Sequence, residues 1–378
     1  MGCMHIGSLN LVNFRNFVRL DLELPEGPVV IQGGNAQGKS NFLDAMHILA
    51  TGRSFRGGPE SAWINLDVPE VATFARIRGR IHHATGDDHL EIVAARASGY
   101  GGVRRRVRIG GSPRRMADLP GRLHVVSFAP SDLTLLTGPP RDRRRWLDIA
   151  LAQLARPYVD MLAEHETVLT RRNAVLRRIR SGHARLAELD FWDERLAPLA
   201  LQIVGQRRQF VNELRPLMAS EFDCIGGGAT VEIAYEATAV ASVHDAYVEA
   251  LQSSRVTDVE RGATGQGPHR DDVNIQLNSQ PLVSFGSRGQ IRLAAVALKL
   301  AQFEVAVRRT GERPVLLLDD VAAELDPIHR QSLLERVVSG TQTFITTADP
   351  AGVDADALAH APRLTVQRGV ITSSYGPA

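Results

Sequence analysis

Between a short apolar run and a helical pattern the chain carries Gly33-Gly34-Asn35-Ala36-Gln37-Gly38-Lys39-Ser40. No other stretch limits so sharply what the chain can fold into. The residues satisfy G-x-x-x-x-G-K-[ST], and they stand in the context that pattern requires. Val29, Val30 and Ile31 follow the turn signal Pro25-Glu26-Gly27-Pro28 and read as a buried strand. From Asn41 onward Phe42, Leu43, Met46, Leu49 and Ala50 fall on one helical face, with Gly52 placed to end the helix. Such a strand, loop and helix make a phosphate cradle, because the glycines let successive backbone N–H groups converge on phosphate oxygens at the positive end of the helix. Lys39 is then the point charge for the β and γ phosphates of ATP, and Ser40 supplies a hydroxyl for Mg²⁺.

Composition sharpens the lysine. Of the 44 Lys and Arg residues only Lys39 and Lys299 are lysines. One of the two thus sits where a planar guanidinium would fit the loop poorly. The formal net charge of +2 is too small to argue for nucleic acid, so a DNA-binding reading must rest on where the arginines lie. With 44% apolar residues, 378 residues can bury one large core or two ordinary ones. Cys3 and Cys224 lie far apart, no apolar stretch approaches the ~18 residues of a membrane span, and the first residues lack a secretory pattern. A cytoplasmic protein with no membrane partner is the expectation.

Leucines alternate with polar residues at 9–11 and 20–24, as in two strands, and residues 71–126 are β-like, broken by glycine pairs. From Arg141 the apolar spacing becomes helical, with Pro157 as a break and Ser181-Gly182 as a turn, which suggests an antiparallel helical arm. After Gly226-Gly227-Gly228 the pattern returns to strands and helices, including a helix over 290–305 and apolar strands at 315–318 and 343–345. The first of these, Val315-Leu316-Leu317-Leu318, ends in Asp319-Asp320. Two carboxylates at a strand tip suit a P-loop ATPase: Asp319 would hold Mg²⁺ through its water shell, and Asp320 would orient or deprotonate the attacking water.

Ser287-Arg288-Gly289-Gln290 opens the helix before that strand, a pattern that an anion site and a plain N-cap explain equally well. The order P-loop, long insertion, Ser-x-Gly-Gln, acidic strand and Ala323-Glu324-Leu325-Asp326 resembles the Walker A, signature, Walker B and D-loop order of ABC ATPases. Within that superfamily the chain resembles the RecF family. The resemblance is carried by Asn13-Phe14-Arg15-Asn16-Phe17, Gly52-Arg53-Ser54-Phe55-Arg56, Ser127-Phe128-Ala129-Pro130-Ser131-Asp132-Leu133, the run from Pro140 to Asp148, Gly267-Pro268-His269-Arg270-Asp271-Asp272 and the run from Leu316 to Asp326. It implies an α/β fold: an ABC/SMC-head ATPase lobe, a mixed sheet with flanking helices, built from residues 1–138 and 229–378, with a mainly helical arm lobe at 139–228 inserted.

The resemblance further implies an ATP-dependent homodimer in which Ser287, Gly289 and Gln290 of one subunit, with Asp326, complete the nucleotide site of the other. It implies slow, DNA-dependent ATP hydrolysis, DNA binding at gaps between single and double strands, and work with RecO and RecR to load RecA, in support of replication restart and SOS induction. The shorter Asp320 where transporter ATPases place glutamate agrees with slow chemistry. Thr346-Thr347-Ala348-Asp349 stands where a switch histidine is expected.

For DNA the candidates are arginine clusters, since phosphate contacts need surface cations and little else. Arg104, Arg105 and Arg106, then Arg141, Arg143 and Arg144, lead the set, followed by arginines between 171 and 180. A solvated charged face accounts for any one cluster as well. His269 reads as ordering its loop rather than as a catalyst, since no nucleophile or metal cluster accompanies it. A small-molecule kinase would share the P-loop but have no need of Ser287, and a bridging SMC-like protein would need longer heptad arms than residues 141–217 provide.

Overall fold

The computed structural model describes residues 2–65, 73–97, 102–226, 228–239, 243–320, 325–338, 340–348, 358 and 360–373. These divide into two compact units, the first made of residues 1–133, 221–228 and 292–378, the second of 134–220 and 229–291.

The first unit holds two six-stranded sheets. One has the order Val370–Ser373, Arg363–Gln367, Pro28–Gln32, Thr343–Thr347, Val315–Asp319, Val125–Phe128. All its pairings are parallel except the hairpin at the first edge. The strands Pro28–Gln32 and Val315–Asp319 carry the apolar runs Val29 to Ile31 and Val315 to Leu318, all buried because both faces are covered. The other sheet is antiparallel, in the order Phe17–Glu23, His5–Phe14, Phe74–His83, Gly86–Arg96, Val103–Ile109, Ser112–Arg114. Its strands alternate buried with exposed residues, as a sheet wetted on one face must.

The helix Lys39–Thr51 is buried along nearly its whole length, and Phe42, Leu43, Met46, Ile48 and Leu49 join side chains of both sheets in one core. Gly52 ends it in the left-handed conformation, its N–H bonded to the Ile48 carbonyl. No helix among the described residues is long and apolar enough to cross a membrane.

The second unit contains the helices Pro140–Leu154 and Arg156–Arg180, broken before Pro157 as the sequence suggests, and most of the helix Asp190–Cys224. It is larger than the expected 139–228. At 229 the chain re-enters this unit after residues 221–228, which belong to the first, and Val231–Glu236 then pairs antiparallel with Asp272–Leu277. The return falls at 292, so Ser287, Gly289 and Gln290 belong to this unit.

Its interior is wired by ion pairs. Arg172, with no exposed surface, donates to Asp193 (2.6 Å), Asp258 (2.8 Å) and the Thr264 hydroxyl (2.8 Å). Arg207 donates to Asp148 (2.8 Å), to Tyr158 (3.0 Å) and to the Pro268 carbonyl (2.6 Å). Asp271 accepts from Tyr235, from the Thr238 N–H and from its hydroxyl.

Candidate nucleotide site

The loop after Pro28–Gln32 turns where side chains would not fit. Gly38, with φ 118°, precedes the helix, and a Cβ there would lie 2.4 Å from the Asn16 amide nitrogen; at Gly33 it would lie 2.4 Å from the Val366 carbonyl oxygen. The loop is gripped from two sides. Asn16 donates to the Gln37 carbonyl (2.8 Å) and accepts from the Asn41 amide (2.8 Å), while the N–H groups of Gly369 and Arg368 donate to the carbonyl and side-chain oxygens of Gln37 (3.0 and 2.8 Å). Lys39 is buried and its ammonium donates to the carbonyls of Gly33 (2.8 Å) and Gly34 (3.1 Å). Lys299, the other lysine, is buried too and pairs with Asp132 (2.9 Å).

Strand order brings the acidic tip to the loop. Thr343–Thr347 lies between Pro28–Gln32 and Val315–Asp319. The Ser40 hydroxyl donates to Asp319 Oδ1 (2.8 Å), and the Thr346 hydroxyl donates to the same oxygen (3.0 Å) while accepting from the Asp320 N–H (2.9 Å). Burial raises the Asp319 carboxyl above the usual range, and the hydrogen bonds from Ser40 and Thr346 work against that rise. Asp320 has φ 52°, unusual for a residue other than glycine, and its Oδ1 is buried with no hydrogen-bond partner. Hydroxyl and carboxylate oxygens gathered here are the hard donors that suit Mg²⁺.

Thr346 thus ties both aspartates to the neighbouring strand. Thr346→Val is expected to weaken Mg²⁺-dependent nucleotide binding by about tenfold or more, since a hydrogen bond to a charged group is worth ~1.5–3 kcal/mol. It also removes a bond that favours the ionised carboxylate, so the fall in binding on acidification should begin at higher pH than in the wild type. A titration of nucleotide against pH with an unmoved curve would refute this role.

Two motifs support the helix from behind. Asp44, fully buried, accepts from Arg15, from the Ser54 hydroxyl (2.9 Å) and from the Phe55 N–H (3.1 Å), which fastens the Arg15 turn and the segment after Gly52 to the middle of the helix. Burial raises the Asp44 carboxyl, against the pull of Arg15.

The remaining expected site residues make local capping contacts. Ser287 and Gln290 cap the helix Arg288–Thr310 reciprocally: the Ser287 N–H donates to the Gln290 side chain (2.9 Å), and the Gln290 N–H donates to the Ser287 hydroxyl (3.2 Å). Gly289 has nothing but Ser287 Oγ near its would-be Cβ, at 3.9 Å. Asp326 caps Pro327–Val338, accepting from the N–H groups of Ile328 and His329, and hydrogen bonds from His329 hold its carboxyl below the usual range. Ala323, Glu324 and Asp349 lie outside the described residues.

Of the arginines, Arg104 and Arg106 are exposed on the antiparallel sheet, whereas Arg105 points inward and pairs with Glu60 (2.9 Å). Arg141 is exposed. Arg143 leaves the candidate set: it is buried, forked onto Asp272 (2.7 and 2.8 Å), and donates to the Gly138 carbonyl (2.7 Å). Arg144 is half-buried and donates to the Asp271 carbonyl (2.7 Å). The helix phase could have shown this, since Arg143 stands three and four residues before the buried Trp146 and Leu147. His269 bonds the Thr264 carbonyl (3.0 Å), and burial lowers its affinity for a proton, so it orders its loop as a neutral ring.

A Walker A loop and an acidic strand separated by one parallel strand, with an antiparallel sheet behind the loop's helix, define a P-loop protein of the ABC/SMC head class. The RecF/RecN/SMC N-terminal domain family model matches residues 5–365. Over 382 residues the chain is 39% identical to the DNA replication and repair protein RecF of Herpetosiphon aurantiacus, covering 97% of this chain and 99% of that one. It is 38% identical to the RecF of Gloeobacter violaceus, covering 99% and 100%. The chain belongs to the RecF family. A solved structure of the recombination mediator protein RecF with ATP superposes with a TM-score of 0.88 at 29% identity, covering 99% of this chain and 98% of that one. The Smc head domain of Pyrococcus furiosus, at 15% identity and a TM-score of 0.55 over 98% of this chain and 96% of that one, shares the fold.

Proposed function

We propose that the chain is an ATP-dependent DNA-binding protein of recombinational repair, slow to hydrolyse ATP, that acts at gaps. The observation that carries this is the shared oxygen of Asp319, bonded to Ser40 of the P-loop on one side and Thr346 on the other. Residues 33–40 would wrap the phosphates and Lys39 would neutralise them. Mg²⁺, when bound, would supply neutralisation of charge on the phosphates. Ser40 and Asp319 would hold it, and Asp320 Oδ1, an acceptor with no protein donor, would orient the attacking water.

Two chains would close around ATP, with Ser287, Gly289 and Gln290 of each capping the phosphates held by the other and Asp326 at the seam. The exposed position of Ser287 and Gly289 at a helix start supports that role. Single- and double-stranded DNA would be held through phosphates, without sequence preference, on exposed arginines led by Arg104 and Arg106. The family resemblance supports RecO and RecR as partners and RecA as the protein loaded, in replication restart and the SOS response, inside the cytoplasm.

The deciding experiment sizes the protein with and without ATP and gapped DNA. A dimer that forms with ATP and is retained on DNA, and is lost in Ser287→Arg while nucleotide binding persists, is the expected result. A monomer under all conditions, with no DNA retention, would overturn the reading.

A further inference from the structure

The strand Val103–Ile109 carries cations on both of its faces. Arg104, Arg106 and Arg108 are exposed, and the register extends their face across the sheet: Arg106 opposes Val93, which opposes Arg76, which opposes Val12, which opposes Arg19. One row further, Arg108, Glu91 and Arg78 stand opposite one another. The row from Arg106 to Arg19 spans five strands, about 19 Å at ~4.8 Å per strand, with a cation on every second strand.

Between these exposed residues Arg105 turns the other way, on the side of Val107, which is buried in the core. Its guanidinium donates to the Gly52 carbonyl (2.9 Å) and pairs with Glu60 (2.9 Å). Both partners lead to the phosphate loop. Gly52 is the C-terminal cap of the helix whose first residue is Lys39, so Arg105 grips the negative end of a helix that presents its positive end to the loop. Glu60 opens the turn Glu60–Trp63; the Trp63 carbonyl accepts from the Arg15 N–H (2.8 Å), and the next residue, Asn16, holds the Gln37 carbonyl of the loop (2.8 Å). The helix is packed on both sides, so a displacement at its end moves it as a body.

We propose that Arg105 is a positioning residue that couples DNA on the outer face of this sheet to the nucleotide site. Resting on the DNA-binding reading above, this adds a division of labour within the strand. Arg104, Arg106 and Arg108 take phosphates. Arg105 takes none and carries the strand's shift to both ends of the P-loop assembly.

The test uses the full chain, a double-stranded oligonucleotide and three variants: Arg105→Gln, Glu60→Ala, and the triple change Arg104→Ala, Arg106→Ala and Arg108→Ala. Two quantities are read: retention of DNA as a function of salt, and the ratio of ATP turnover with and without DNA. The triple variant should lose at least tenfold in DNA affinity and show a shallower salt slope. Arg105→Gln should keep DNA affinity within about twofold, while the turnover ratio, above one in the wild type, falls to one. Glu60→Ala, which frees one side of the guanidinium and touches no buried group, should move the ratio in the same direction. A ratio unchanged in both Arg105→Gln and Glu60→Ala overturns the coupling and leaves DNA binding standing. A loss of DNA affinity in Arg105→Gln equal to that of the triple variant overturns it too, since Arg105 would then be a contact. A wild-type chain that retains no DNA refutes the underlying reading itself.

Discussion

Lys39→Ala should lose ATP affinity by roughly 30- to 1000-fold, the range that follows from ~2–4 kcal/mol for removing one member of a buried charge pair. The reason lies in how few cations point into the loop. Lys39 is buried and holds the carbonyls of Gly33 and Gly34, so its ammonium is already placed within the turn that would wrap the phosphates. Alanine keeps the helix start and leaves the grip of Asn16, Arg368 and Gly369 on Gln37 untouched. The fold should therefore survive while binding does not. Lys39→Arg should rescue little, because a forked planar group cannot enter a turn that has no room for a Cβ at Gly33 or Gly38. Titration with a fluorescent ATP analogue, beside a thermal melt, separates the two effects; an unchanged affinity in a folded Lys39→Ala variant would remove the loop from the function.

The second large effect is expected inside the second unit. Arg172→Ala would leave Asp258 and Asp193 buried without their shared cation, and of these two only Asp193 also pairs with Arg255. Breaking a buried pair this way costs about 3–5 kcal/mol. Trp146 and Trp192 belong to the second unit and Trp63 to the first, so in a Trp63→Phe background the fluorescence of the remaining two during urea unfolding follows the second unit. Their transition should move to markedly lower urea. Arg172→Lys should recover only part of the loss, since one ammonium on a flexible stem cannot reproduce a fork that reaches two carboxylates and the Thr264 hydroxyl. A transition that stays in place in Arg172→Ala would mean that the network contributes no net stability.

What the chain's order of residues made legible was contiguous chemistry. Gly33 to Ser40 and Leu316 to Asp320 each carry their strand, turn and charge within a few residues, so local pattern alone located them. Thr346 was visible only as an absent histidine. Its task depends on which strand lies between two others, and residues 319 and 346 meet through a sheet order that no local period encodes. Asn16 escaped for the same reason, since its contact with Gln37 joins a hairpin tip to the loop across the fold.

Arg105 and Arg143 mark a different gap. Clusters were read as blocks of charge, although the twofold period of a strand separates Arg105 from its neighbours and the helical phase turns Arg143 inward. The boundary at 229 came from a glycine run, and the chain does change unit there, but it re-enters the helical unit rather than returning to the first, a direction that a turn signal does not encode.

The burial of both lysines has a consequence for how the surface charge can be controlled. Lys39 and Lys299 are 4% and 7% exposed, and the chain has no other lysine. Every exposed basic side chain of high pKa is therefore a guanidinium, which stays protonated at any pH a cell reaches and which acylation of lysine does not erase. The cationic face offered to a polyanion is fixed in strength. Regulation of that attraction has to come through added salt, added negative charge or a change in which residues are presented.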